Sequence, residues 1–301
     1  MGKFVLAYDV GTTGIKTCLI EIDKSINIIS SASEGYQLYV LENGGAEQDP
    51  QEWWDAMKAT TRRIFADSSI KPEQVEGISF CSQAQGLVLV DRDGVPVHRA
   101  FSYMDQRATQ EIKEGLKFGL QIEGANVGRL LTSLAITGAA PLSVKDPLWK
   151  YNWLKKNEPE NFSRVYKWLD VKEYLIARMT GEFVLTHDSA FGTMLYDLKH
   201  KCISKKMCKM FGINPKHLPR LIDELCRRTY GRSGRRTRSR QGDQSVRRRH
   251  GRKPYRCGRR LNGSRRYAYI QRHFGLGWHD NGKAASGRLV NDCGSRCGAT
   301  W

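Results

Sequence analysis

The chain has 301 residues, a mass of 34.3 kDa and a formal net charge of +18. This length suffices for one large or two ordinary domains with hydrophobic cores. No run of eighteen apolar residues occurs, and the first residues match neither a secretory signal nor a myristoylation site, so we expect no membrane association. The eight cysteines form no paired framework, which is typical of a reduced, cytoplasmic protein.

The positive charge lies at one end of the chain. Residues 1–226 hold 28 Lys and Arg against 28 Asp and Glu, whereas residues 227–301 hold 21 basic residues, 19 of them Arg, against three acids. Apolar residues after position 226 come singly, with neither helical nor strand periodicity, and are too sparse to offset the entropy of ordering the chain. We therefore expect a folded domain over 1–224 and a disordered basic tail over 225–301.

The first predicted element is a β-hairpin. Residues 4–7 form an apolar strand run, residues 11–14 a glycine and threonine turn, and residues 15–22 a second strand. A helix is predicted next, because Asp49 and Pro50 are typical of an N-cap and a first helical position. Trp53, Met57 and Ile64 then fall on one face of that helix.

The next segments alternate strands and helices. Residues 75–94 predict two short apolar strands around a polar turn, and a helix starting near Asp146 is expected to end near Pro159. A further helix is predicted from about Val171 to Gly181. Mixed strands and helices with short connections indicate the α/β class. The tryptophans on these helical stripes are expected in the core: Trp53, Trp54, Trp149 and Trp153.

The clearest candidate site is the segment DVGTTGIK, residues 9–16, at the tip of the hairpin. A tight turn of glycine and threonine offers backbone N–H groups and hydroxyls to phosphate oxygens. Asp9, at the end of a buried strand, is placed to hold Mg²⁺ through water. An ordinary hairpin turn has the same glycines, and this segment alone favours neither interpretation.

Five further segments follow in order: EQDPQEWW (47–54), SQAQGLVLVD (82–91), SYMDQRA (102–108), KEYLIARMTGEF (172–183) and DSAFGTMLYD (188–197). Together with residues 9–16 they resemble the FGGY carbohydrate kinases, and most closely the xylulokinase-like members. The resemblance covers residues 3 to about 224, which is the N-terminal, sugar-binding domain of that family. It implies the actin-like, ribonuclease H-like ATPase fold.

The resemblance also implies functional residues. Those facing Mg²⁺ and the phosphates of ATP are Asp9, Gly11, Thr12, Thr13 and Lys16, with Asp9 on the metal. Those lining the pocket of a small-molecule sugar are Gln83, Ala84, Gln85, Gly86 and Asp105, since amides and carboxylates hydrogen-bond a polyol. Ala84-Gln85 replaces the Met-His pair of xylulokinases and Tyr103-Met104 replaces their Trp-Asn, so xylulose is the leading candidate among several sugars and polyols.

Four other residues receive structural expectations only. His187 is expected to be a solvated loop histidine, and the neighbouring Asp188 and Ser189 to belong to a structural turn. Lys172 and Glu173 are expected to be exposed on their helix.

The catalytic base of the family has no counterpart here. Phosphoryl transfer to a hydroxyl needs a carboxylate that accepts the proton. In FGGY kinases it is an aspartate in a GGGD motif of a second domain, and no such motif follows residue 226. The resemblance therefore implies a chain that is inactive by itself, with no catalytic residue of its own.

The arginine-rich tail has two alternative explanations. Arginine codons of the CGN type, read one base later, encode Gly, Ala, Val, Asp or Glu. The shifted frame permits FGGGMDENLIGVGAG across 246–261 and DTHIYSGTSGW across 266–278, so we hypothesise a +1 displacement near residues 223–226. Alternatively, the arginines of residues 227–301 bind nucleic acid or other polyanions non-specifically.

Overall fold

The computed structural model describes residues 2–116, 121–122 and 125–222, and the expected basic tail over 225–301 lies outside the described residues. In chain order the strands are β1 (Lys3–Val10), β2 (Gly14–Ile22), β3 (Ile26–Gly35), β4 (Tyr39–Val40), β5 (Ala46–Gln48), β6 (Val75–Ser82), β7 (Val88–Val90), β8 (Ala100–Phe101), β9 (Gln121–Ile122), β10 (Ala125–Asn126), β11 (Lys167–Leu169), β12 (Val184–Thr186), β13 (Tyr196–Asp197), β14 (Cys202–Ile203) and β15 (Arg220–Ile222).

The helices are α1 (Pro50–Asp67), α2 (Thr109–Leu116), α3 (Val127–Thr137), α4 (Pro147–Asn157), α5 (Pro159–Ser163), α6 (Val171–Thr180), α7 (His187–Gly192) and α8 (Lys205–Met210), with 3₁₀ turns at Pro72–Gln74 and Pro215–His217. No helix in this part of the chain has the length and apolar character needed to cross a bilayer.

The principal sheet has the strand order β3-β2-β1-β6. The predicted hairpin is confirmed as β1 and β2, which pair antiparallel, whereas β1 and β6 pair parallel with Val10 opposite Ser82. Parallel pairing places the carboxyl ends of β1 and β6 side by side. The turn at residues 11–13 and the loop at residues 83–86 therefore start as neighbours, and Gln83 N donates to Val10 O at 2.8 Å.

Helix α1 packs against β2 and β3, as its amphipathic sequence predicts. Asp49 caps it by accepting a hydrogen bond from Gln51 N at 2.8 Å, with Pro50 at the first position. Trp53 is fully buried in the core that α1, α6 and the sheet share. Burial of such an aromatic side chain contributes roughly 2–3 kcal/mol, so this interface is a main source of the domain's stability.

A second core lies beside the first and packs around α4. Trp149 is buried there and Trp153 packs against it half-buried, whereas Trp53 and Trp54 belong to the first core, so the core assignment of the four tryptophans is confirmed. Helix α4 ends at Asn157, close to the predicted Pro159. The short helix α5 begins at that proline and was not predicted.

The expectation that Lys172 and Glu173 are exposed is wrong. Nine of the ten residues of α6 are buried, because the helix packs on the sheet on one side and against β12 and α7 on the other. The Lys172 ammonium contacts the carboxylate of Asp188, and Glu173 accepts a hydrogen bond from the Thr186 hydroxyl at 2.5 Å. Because α6 is covered on both sides, the residues of its first turn, Lys172 and Glu173, are buried as well.

The expectation for His187 is also wrong. This residue is half-buried at the start of α7, and its Nδ1 lies 2.8 Å from the Tyr196 hydroxyl. Asp188 and Ser189 occupy the first turn of the same short helix, where Asp188 meets Lys172. Segment 187–189 therefore joins α6 to α7, in agreement with the structural role expected of Asp188 and Ser189.

Candidate active site

The turn at residues 11–13 is held by one tyrosine from the end of the neighbouring hairpin. Tyr36 Oη lies 2.6 Å from Gly11 O and 3.0 Å from Gly14 O, and Tyr36 N donates to Thr13 O at 3.1 Å. Burial, and then the negative charge of Asp9, raise the pKa of Tyr36. The hydroxyl is therefore protonated throughout the neutral pH range and acts as a donor to the turn.

Close backbone packing explains the second glycine of the turn. A Cβ on Gly14 would lie 2.7 Å from Glu34 O of the paired strand β3, which leaves no room for any side chain. The first glycine closes the turn through its amide, since Gly11 N donates to Gly14 O at 2.9 Å. Gly11 and Gly14 therefore fix the shape of the turn.

The turn presents groups suited to phosphate. In the described part of the chain the amides of Thr12 and Thr13 donate to no protein acceptor, and the side chains of Thr13 and Lys16 are exposed. Unpaired amides next to an ammonium group form an anion-binding concavity. Thr12 and Thr13 therefore lie together in the turn, and Lys16 lies on β2, which starts directly after it.

The metal prediction rests on Asp9 alone. Its exposed side chain lies on β1 opposite Lys16 of β2. Among residues 2–116, 121–122 and 125–222, no group of three or more His, Cys, Asp or Glu is placed to hold a metal ion. Mg²⁺ retains several waters and takes one or two carboxylates plus substrate phosphates. The single carboxylate fits a magnesium ion that arrives with a phosphate ligand, not a site built from protein groups only.

The loop at residues 83–86 is fixed by a buried carboxylate that sequence reasoning missed. Asp170 Oδ2 accepts from Gln85 N at 3.1 Å, and Oδ1 accepts from Gly86 N at 3.1 Å and from Val171 N at 2.7 Å. Its position before α6 is the only sequence signal, and it suggests a helix cap. Burial, and then the charge of Glu173, raise the pKa of Asp170 although these amides oppose the shift.

The backbone of this loop is tightly constrained. Gln85 has a φ of 61°, in the left-handed region that few residues other than glycine adopt. A Cβ on Gly86 would lie 2.8 Å from Val171 Cγ2. The half-buried side chains of Gln83 and Gln85 and the exposed Ala84 are therefore presented by a rigid loop.

One glutamine connects the loop to the turn. Gln48 Nε2 donates to Thr12 O at 2.7 Å, and Gln48 Oε1 accepts from Gln83 Nε2 at 2.6 Å. The Thr12 hydroxyl also lies 3.5 Å from the Tyr103 hydroxyl. The structure thereby joins Thr12 of the turn and Gln83 of the loop in one hydrogen-bonded group, to which Gln48 and Tyr103 belong as well.

Asp105 lies apart from this group. It is fully buried, Oδ2 accepts from Ala46 N at 2.8 Å and from Arg107 Nε at 2.9 Å, and Oδ1 accepts from Arg107 N at 3.2 Å. Its segment exposes Tyr103 and Met104 instead. The carboxylate fixes the backbone that carries Tyr103, and its hydrogen bonds go to Ala46 and Arg107 and not to residues 83–86.

A buried lysine supports the same segment from below. Lys150 is fully buried, and its Nζ donates to Ser102 O at 2.7 Å. Burial lowers the pKa of Lys150 to about 8, while Asp105, Asp170 and Asp146 oppose the shift. The Lys150 ammonium thus interacts with Asp105, which supports the Tyr103 segment, and with Asp170, which supports the loop at residues 83–86.

Comparison with known protein families identifies the family to which this domain belongs. The profile of the N-terminal domain of the FGGY family of carbohydrate kinases matches residues 4–232. The chain belongs to this family. The match includes the turn, the loop and Asp170, and it runs beyond the last described residue, 222.

Individual members of the FGGY family show the same extent of similarity. The xylulose kinase of Lactococcus lactis is 32% identical over 227 residues, and the gluconokinase of Bacillus subtilis is 28% identical over 225 residues. The alignments cover 74% of this chain but only 42% and 40% of those proteins. The chain therefore spans about two fifths of the length of these relatives.

Solved structures confirm the fold prediction. The ligand-bound xylulose kinase of Lactobacillus acidophilus superposes with a TM-score of 0.64 at 28% identity, over 74% of this chain and 42% of that chain. A gluconate kinase from the same organism gives the same values. The described residues have the α/β, actin-like ATPase fold of the FGGY N-terminal domain.

Proposed function

We propose that the chain is the sugar-binding domain of an ATP-dependent kinase that transfers the γ-phosphate of ATP to a hydroxyl of a xylulose-like sugar or polyol. The contact between the turn at 11–13 and the loop at 83–86 through Gln48 carries this proposal. Phosphoryl transfer requires the acceptor hydroxyl and the phosphate to be held next to each other, and adjacent sites give this proximity.

Each half of the site has its own role. The amides of Thr12 and Thr13, the Gly11 turn and the Lys16 ammonium bind phosphate oxygens. Asp9 would hold Mg²⁺ through water, and the ion would neutralise phosphate charge when ATP is bound. The side-chain amides of Gln83 and Gln85 hydrogen-bond sugar hydroxyls, and Asp105 supports them by fixing the segment of Tyr103.

We propose that this chain binds sugar but does not catalyse phosphoryl transfer. The family's catalytic aspartate follows a glycine-rich motif that is absent after residue 226. Without a carboxylate to accept the hydroxyl proton the transfer loses a factor of about 10²–10⁴. We propose a cytoplasmic location, because the proposed reaction consumes ATP and the cysteines form no paired framework.

Calorimetric titration with xylulose, gluconate and glycerol tests the sugar assignment, and an ADP-release assay with ATP, Mg²⁺ and each compound tests the absence of turnover. We expect saturable binding that is tightest for xylulose and no ADP release above that of a blank. Tighter binding of gluconate or glycerol would make that compound the proposed substrate in place of xylulose. If none of the three compounds binds, the sugar-binding assignment is wrong. Sugar-dependent ADP release would disprove the proposed inactivity.

The origin of the arginine-rich tail is open to a direct test. We propose that a +1 displacement near residues 223–226 produced residues 225–301, since the shifted frame permits both motifs that the family carries after this point. A sequencing read of the gene across codons 221–228 is expected to show one base more or fewer. A confirmed frame would disprove the displacement.

A second candidate function rests on the nineteen arginines of residues 227–301. These bind polyanions without sequence preference, so duplex DNA of unrelated sequences should bind equally and be released as salt rises. Fluorescence anisotropy between 50 and 200 mM salt, conditions in which multivalent phosphate contacts lose about 10³–10⁵ in affinity, tests this. Binding that survives high salt or prefers one sequence would contradict the non-specific assignment.

A further inference from the structure

Gln48 is the shared member of the two halves of the candidate site. It is the last residue of strand β5, it is 1% exposed, and the next two residues begin helix α1 as its cap and first position. Its backbone is also paired with Ala100 of β8. The backbone that carries the Gln48 side chain is therefore held in place on both sides.

The two bonds of Gln48 need an amide in one orientation. Thr12 O is a carbonyl oxygen, so only the NH₂ group of Gln48 is a suitable partner at 2.7 Å. This leaves Gln48 Oε1 to face Gln83, which must then present its own NH₂ group at 2.6 Å. The carbonyl of Thr12 thus sets the orientation of both side-chain amides.

The same orientation leaves one acceptor unused. Gln83 Oε1 is buried and has no hydrogen-bond partner among the described residues. A buried polar atom without a partner costs free energy, about 1–3 kcal/mol, and a ligand hydroxyl that donates to it recovers this. A sugar hydroxyl has the required chemistry, and Gln85, two residues further along the same loop, carries a second side-chain amide.

We infer that Gln48 is a positioning residue that couples sugar binding at residues 83–86 to the geometry of the phosphate turn at residues 11–13. This inference rests on the proposed function for the identity of the two ligands. A hydroxyl bound to Gln83 Oε1 fixes the Gln83 amide, which fixes Gln48, which fixes Thr12 O and the direction of the neighbouring amides. Gln48 itself touches neither substrate.

Amide hydrogen exchange of the full chain, followed by NMR, tests the link first without any ligand. Gly11 N and Tyr36 N, bonded to Gly14 O and Thr13 O, report on the turn, whereas Gly181 N at the end of α6 reports on the rest of the domain. In Gln48→Met, which keeps the volume and removes both bonds, exchange at Gly11 and Tyr36 should rise about tenfold relative to Gly181. Equal changes at all three amides would overturn the inference.

Two further variants guard against a trivial result. Gln37→Met removes an exposed glutamine whose Nε2 also donates to a backbone carbonyl, Leu38 O at 3.0 Å, and should leave the turn unchanged. When ionised, Gln48→Glu keeps an acceptor for Gln83 but has no donor for Thr12 O, so at a pH high enough to ionise it the variant should free the turn as Gln48→Met does. A protected turn in Gln48→Glu would assign the effect to Gln83 and disprove the coupling.

Addition of xylulose separates this inference from the proposed function. In the unmodified chain, exchange should slow at Gln83 N, which is bonded to Val10 O, and also at Gly11 N. In Gln48→Met it should slow at Gln83 N only. Slower exchange at both amides in both proteins would overturn the coupling. Unchanged exchange at Gln83 N in both proteins would disprove sugar binding at this loop. In that case the comparison without ligand would still decide whether Gln48 holds the turn.

Discussion

Asp170 and Gly86 are 84 residues apart in the chain, and Asp170 Oδ1 accepts a hydrogen bond from Gly86 N at 3.1 Å. The other carboxylate oxygen accepts from Gln85 N, whose residue has a left-handed backbone. One buried side chain thus holds two successive amides of the loop that we assign to the sugar. The shape of this loop therefore depends on a residue that lies far outside it in the sequence.

Replacement of Asp170 should separate its acceptor role from its charge. Asp170→Ala leaves three buried amides without an acceptor and should lower the free energy of unfolding by about 3 kcal/mol. Asp170→Asn keeps one oxygen for Gly86 and Val171 and should cost about 1 kcal/mol. Urea unfolding monitored by tryptophan fluorescence measures both. Equal losses for the two variants would show that the charge, not the set of amide bonds, is what matters.

Gly14→Ala should damage the phosphate turn. The new Cβ would lie 2.7 Å from Glu34 O, a backbone atom of a paired strand that cannot turn away. We expect a loss of about 2 kcal/mol in unfolding free energy, as for overpacking elsewhere. Gly35→Ala is the matched control, because Gly35 pairs with Gly14 in the register and its Cβ would approach no atom closer than 3.6 Å. Comparable losses in both urea titrations would refute this steric account.

Lys172→Met should destabilise the domain strongly. The Lys172 side chain is only 9% exposed. Burial lowers its pKa, but the charges of Glu173, Asp188 and Asp170 raise the pKa by more, so the net shift is upward. Without the Lys172 ammonium, the buried Glu173 and Asp170 lose a cation that stabilises their charged forms, which should cost about 3–5 kcal/mol. Asp188→Asn, at a side chain 54% exposed, should cost less than about 1 kcal/mol in the same unfolding assay. A small effect of Lys172→Met would mean that the two carboxyls are neutral in the folded protein.

Asp146→Asn should change how stability depends on pH. Burial raises the pKa of Asp146 to about 6 from 3.8, although Ser143 N–H and Lys150 oppose the shift. Since the folded pKa is the higher one, the carboxyl disfavours folding increasingly as pH rises from about 4 to 6. Asparagine keeps an oxygen for Ser143 N and carries no charge.

The variant should therefore match the parent near pH 3.5 and exceed its unfolding free energy by about 2 kcal/mol at pH 7. Urea titrations at half-unit pH intervals give this difference directly. A constant difference between pH 4 and pH 7 would contradict the raised pKa of Asp146.

Local sequence signals predicted the elements that are set by interactions between residues close together in the sequence, such as helix caps and turns. Asp49-Pro50 fixed the start of α1, Gly181 ended α6 with a φ of 73°, and Gly11 and Gly14 marked the turn. Strand β3 was not predicted, because most of its ten residues are exposed and its apolar residues do not alternate regularly with polar ones. The three residues that connect it to β2 also lack the glycine that is typical of a short hairpin turn.

The candidate site was predictable in part for the same reason. Thr12 and Gln83 could be assigned from motifs, whereas the roles of Gln48 and Asp170 depend on contacts over 36 and 84 residues that no local pattern reports. Lys172 and Glu173 were misjudged because charged residues at the start of a helix usually face water. Only the burial of α6 on both sides reverses that rule.

The parallel pairing of β1 with β6 also sets the order in which the site is assembled during synthesis. β1 and β2 pair within the first 22 residues, but β1 gains its other neighbour only once residues 75–82 have emerged. The loop after β6 then waits for Asp170, nearly ninety residues later. Contacts that close such long loops form slowly, so the nascent chain completes its phosphate turn early and its sugar loop last.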